Sequence, residues 1–128
     1  MHQFAKQLNE LFPFFSFYWL GNRSFEVYRP YVEYNAGTGE TTHAHEYVGN
    51  LVRYPHSPCW QAYEEVGGHG PQRHDWAWQA PIRYSLPAAL RELLARHGLS
   101  TELDQASVVR CIEAEDDILR SEEHVNAA

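Results

Sequence analysis

All eighteen aromatic side chains of this 128-residue chain fall between Phe4 and Tyr84, and none follows. A core built from this sequence must draw its large side chains from that stretch, and the remainder can add only aliphatic stripes packed against it. Charge divides the opposite way. Residues 1–101 carry nine acids against eight Lys and Arg, whereas residues 102–128 carry eight acids against Arg110 and Arg120. Nearly the whole net charge of −7 therefore sits in the last 27 residues.

The length fits one domain, and 44% apolar residues suffice for a core. Within the aromatic part (1–84), Phe4, Leu8 and Leu11 recur at helical spacing and predict a short amphipathic helix over 2–11, limited by Pro13. Phe14–Leu20 suits a strand. Ser24–Tyr34 and Thr42–Tyr54, joined by the Gly-containing turn 35–41, read as a long hairpin, with Pro30 marking an edge or a bulge. Cys59–Val66 fits helix or strand, residues 67–75 a polar loop, and Trp76–Tyr84 a strand interrupted at Pro81.

The pattern changes at Ser85. Ser85 as N-cap, Pro87 in the first turn and Gly98 beyond the end define a helix with Leu90, Leu93 and Leu94 on its apolar side. A further cap at Ser100 or Thr101 opens a last helix to about Arg120, and residues 121–128 are expected to fray. The expected fold is α+β: an antiparallel sheet of about four strands carrying a short N-terminal helix and a C-terminal helical hairpin (85–120).

On that last helix, Val108, Val109, Cys111, Ile112, Ile118 and Leu119 form one broad apolar arc, with Glu113 and Asp117 opposite and Asp116 at its edge. Glu115 falls inside the arc, so it must pair with an Arg or this end must project beyond the core. Glu113, Glu115, Asp116, Asp117, Glu122 and Glu123 put six acids into eleven residues with only Arg120 to compensate, and the first four oppose the helix macrodipole. Carboxylates three or four apart on a helix are about 5–6 Å apart, of the order of phosphate spacing along a nucleic-acid strand. Such a patch can seat in a cationic groove without catalysis.

Basic residues are scattered singly, which disfavours direct binding to duplex nucleic acid and to anionic membranes. The apolar run Leu11–Leu20 is too short to span a bilayer and lacks the features of a signal peptide. Cys59 and Cys111 are too few for a disulfide framework, so reduced thiols and a cytoplasmic location are expected.

His43 and His45 alternate onto one strand face, and as a pair they are candidate ligands for zinc or iron. Gly37-x5-His43-x-His45 resembles the opening of the first cupin motif over about nine residues. Gly49 and Asn50 stand where that family's glutamate should follow, and no second motif appears. Alternation also assigns Ala44, Val48, Val52 and Tyr54 to the core face, and His43, His45, Tyr47 and Leu51 to the other. Trp76 and Trp78 are core material or, if exposed, interface anchors.

No segment identifies a reaction. The leading expectation is a small acidic, non-enzymatic protein that binds and blocks a larger basic, nucleic-acid-handling protein by surface occupation or nucleic-acid mimicry. Phage- and mobile-element-encoded inhibitors of restriction or CRISPR machinery act in this way. The alternative is a metal-dependent small enzyme or binder built on His43 and His45; a third is a homodimer that buries its aromatics.

Overall fold

The computed structural model describes residues 2–21, 23–65, 76–99 and 103–127; the side chains of residues 2, 76, 77, 119 and 121–127 lie outside that description. The element order is α1 (His2–Leu11), β1 (Ser16–Gly21), β2 (Ser24–Asn35), β3 (Glu40–Arg53), β4 (Trp60–Glu65), β5 (Trp76–Gln79), α2 (Leu86–Arg96) and α3 (Gln105–Ala127). The strands form one antiparallel sheet in the order β1-β2-β3-β4-β5. This is the expected α+β fold, with five strands because the ambiguous segment at 59–66 is a strand: Trp60 and Ala62 are buried on one face and Tyr63 on the other.

Helices α1 and α2 lie against the sheet, and α3 packs on both of them. Phe4, Phe25 and Trp60 form the centre of the core, with ring centroids 5.9–6.2 Å apart. Leu90, Leu93 and Leu94 of α2 close it from the helical side. Asn9 of α1 docks onto β1: its amide donates to the Phe17 carbonyl (3.2 Å) and accepts from the Phe17 N–H (2.7 Å). That side chain thus serves the backbone of an edge strand as a neighbouring strand would.

The ends of α2 follow the sequence signals. Ser85 Oγ accepts from the Ala88 N–H at 3.2 Å, and Gly98 adopts φ +71° just past the helix. The expected cap of α3 at Ser100 or Thr101 lies outside the described residues. Instead the helix opens at Gln105, where Asp104 accepts from the Ser107 N–H at 3.2 Å. The helical backbone also continues past Arg120 to Ala127, where loosening was expected.

The expected faces of β3 need correction. Val27 pairs with Gly49 and Tyr28 with Tyr47, so Val48 is an extra residue in a β-bulge. A bulge reverses side-chain parity along its strand. Before it, His45 and Tyr47 point away from the helices; after it, Asn50 does so, while Leu51 and Arg53 turn inward and are buried. Leu51 therefore belongs to the core and Val52 does not. The bulge faces the Val27–Tyr28 step rather than Pro30. Pro30 sits beyond Tyr28, the last β2 residue paired with β1, so its missing N–H breaks no ladder on that side. From there the hairpin runs on as a two-stranded arm exposing Tyr31, Val32 and Tyr34.

Candidate functional site

Two surfaces carry chemistry that packing does not use. The first is the outward side of α3. Its buried stripe is narrower than the sequence arc: Val108, Cys111 and Glu115 are buried and Ile118 partly so. Val109 and Ile112, expected inside, are 46% and 39% exposed. Helical geometry puts them beside Asp116 and Glu113, so two apolar side chains stand among carboxylates. Glu113, Asp116 and Asp117 are exposed and have no ion-pair partner among the described residues. The Glu122 and Glu123 side chains lie outside the described residues.

Glu115 is withdrawn from this surface. It is 6% exposed, and its carboxyl accepts from the Leu86 N–H at the start of α2, tying α3 to α2. Burial pushes its pKa up to about 8; the Leu86 N–H, Arg53 and the Trp60 indole favour the ion without offsetting burial. Neither outcome expected for an acid in the apolar arc is met as stated: the carboxyl is buried and held by the Leu86 N–H, and Arg53 of β3 acts on it only as a nearby charge. Burial likewise raises the Cys111 thiol, with Glu115 adding to the effect. Both cysteines are free.

The second surface is the sheet face turned away from the helices. Cross-strand pairing aligns Tyr18 with Glu26, Glu26 with Asn50, and Asn50 with Tyr63. Tyr28, two residues after Glu26, meets Tyr18 edge-to-face at 5.4 Å and Tyr47 at 5.7 Å. Its hydroxyl donates to Glu26 Oε2 at 2.7 Å, and that hydrogen bond, followed by burial, raises the Tyr28 pKa to about 12. The Tyr47 hydroxyl donates to Asn50 Oδ1, and burial lifts Tyr47 to about 12 as well. Both phenols therefore stay neutral, and the Tyr28 hydroxyl holds the Glu26 carboxyl in place. His45 completes the edge, with Nδ1 3.4 Å from the Tyr18 hydroxyl. Tyr18, Glu26, Tyr28 and His45 enclose a shallow basin of about 330 Å³.

The sequence reading missed this basin. Glu26 and Tyr28 share a strand face by alternation, but Tyr18 and His45 join them only through pairing across three strands. His43 and His45 are both exposed, and His45 lies against tyrosine rings. Among the described residues no three His, Cys, Asp or Glu side chains gather closely enough to hold a metal ion; His69, His74 and Asp75 are not among them. Trp78 is partly buried against the core, and the Arg96 guanidinium lies 4.9 Å above its ring. Arg96 is held in turn by Glu64 at 3.1 Å, so Trp78 is covered rather than presented. The Trp76 side chain lies outside the described residues.

No described helix is long and apolar enough to cross a membrane. Comparison of the chain with known protein families, characterised proteins and solved structures returns no match.

Proposed function

We propose that this is a non-enzymatic binding protein that docks on a larger, basic, nucleic-acid-handling protein and blocks it. The observation that carries this reading is the outward side of α3, where exposed Val109 and Ile112 stand beside Glu113 and Asp116. Exposed apolar side chains supply contact area, and a rim of unpaired carboxylates supplies orientation toward a cationic surface. The acid spacing also lets the ridge occupy positions that phosphates would take, so docking and inhibition become one event. Arg110, one turn before Glu113, and Arg120 are the described cations of α3, too few to neutralise the ridge.

The test is capture from a host lysate at low salt, comparing the wild type with the triple variant Glu113→Lys, Asp116→Lys, Asp117→Lys. All three positions are exposed, so the fold should persist. The wild type should retain a basic protein that the reversed variant loses. Retention of every partner by the reversed variant would sink the acidic-docking reading.

A further inference from the structure

We propose that the basin between Tyr18, Tyr28 and His45, floored by Glu26, receives an arginine side chain projecting from a protein partner. The inference rests on the reading that the partner is basic, but it concerns the sheet face turned away from α3's supporting helices. Four features of the basin agree on this occupant. Tyr18 and Tyr28 line the basin with their rings at 84° to each other, and the negative quadrupole of an aromatic ring face attracts a cation. Glu26 is held by the Tyr28 hydroxyl through Oε2, which leaves Oε1 without a hydrogen-bond partner among the described residues. Among the described residues no Lys or Arg lines the basin, and Arg29, next to Tyr28 in the chain, is engaged by Glu46 at 2.8 Å. Tyr18 remains 47% exposed, so the basin is open from outside.

Arginine fits this combination better than lysine. A guanidinium is planar, stacks on a ring and donates sideways to a carboxylate at the same time, whereas an ammonium is a strongly hydrated point charge. The chain's net charge of −7 further favours a cationic visitor.

The experiment is a titration of the full chain with N-acetyl-arginine-N-methylamide, followed residue by residue by NMR. The same titration is run with the lysine analogue and with tetramethylammonium. The arginine probe should shift Tyr18, Glu26, Tyr28 and His45 selectively, bind more tightly than the other two probes, and lose about tenfold in affinity with Glu26→Gln. Tyr18→Ala, at an exposed position, should weaken it too, with an unchanged thermal transition showing that the fold persists. Equal binding of lysine or tetramethylammonium, shifts spread evenly over the acidic surface, or indifference to Glu26→Gln would each overturn the assignment. The triple charge reversal on α3 separates the two proposals. It should abolish lysate capture while leaving the arginine probe bound in the basin, so either proposal can fail alone.

Discussion

Raising the pH from about 4.5 to about 8 should destabilise this protein, and Glu115→Gln should remove most of that dependence. In the unfolded chain the carboxyl loses its proton near 4.5, whereas burial between α2 and α3 holds the proton until about 8. Between those values the native state binds more protons than the unfolded state, so stability falls as pH rises. The stabilisation is fully present below the lower value and lost as pH passes the upper one. At 1.36 kcal/mol per pH unit the effect is on the order of 4 kcal/mol, large against about 5–15 kcal/mol for a whole domain. Glutamine keeps an oxygen for the Leu86 N–H and cannot ionise. Urea unfolding across this range should give equal stabilities for the two proteins at the acid end, with the variant the more stable above pH of about 8. Parallel curves would show that Glu115 ionises normally in the folded protein.

Gly49→Ala should be the most damaging single-methyl addition in the sheet. A Cβ at Gly49 would overlap Leu93 Cδ1 and lie 3.0 Å from the Tyr63 carbonyl oxygen. Leu93 is fully buried in a packed core, so it can yield only by displacing its neighbours. Overpacking of this kind costs about 1–3 kcal/mol, and the upper end applies because backbone as well as side chain is in the way. The cost should shrink in a Leu93→Ala background, where the cavity left by leucine accepts the methyl. A coupling on the order of 1 kcal/mol in a double-mutant cycle by urea unfolding is expected. Strict additivity would mean that the bulge backbone moves away from α2 without resistance.

These two positions also mark where sequence reasoning reached its limit. Helix α2 was legible because its signals are local: a capping Ser85, a first-turn Pro87 and a Gly98 stop. The long β2–β3 hairpin was legible for the same reason, through the Asn35 turn, where Oδ1 accepts from the Gly37 N–H at 2.9 Å. The bulge at Val48 was not, because simple alternation assumes an unbroken ladder and nothing adjacent announces the extra residue. Glu115 was recognised as misplaced in an apolar arc, but its hydrogen-bond donor at Leu86 and its cation at Arg53 lie far away in the chain. The exposure of Val109 and Ile112 was hidden by the same limitation: a helical wheel shows which residues share a side, not how wide a stripe the neighbouring helices cover. The tyrosine basin needs three strands in register before its residues meet.

The acidic ridge of α3 and the aromatic basin lie on different parts of the surface, and the proposed activity depends on the ridge. The most direct measurement of that activity is displacement. The partner retained from lysate is loaded with fluorescent duplex DNA, and the protein is titrated in while anisotropy is followed. The wild type should release the DNA stoichiometrically, and the Glu113→Lys, Asp116→Lys, Asp117→Lys variant should release none. A stable ternary complex, with the DNA still bound at saturating wild-type protein, would contradict the proposed activity.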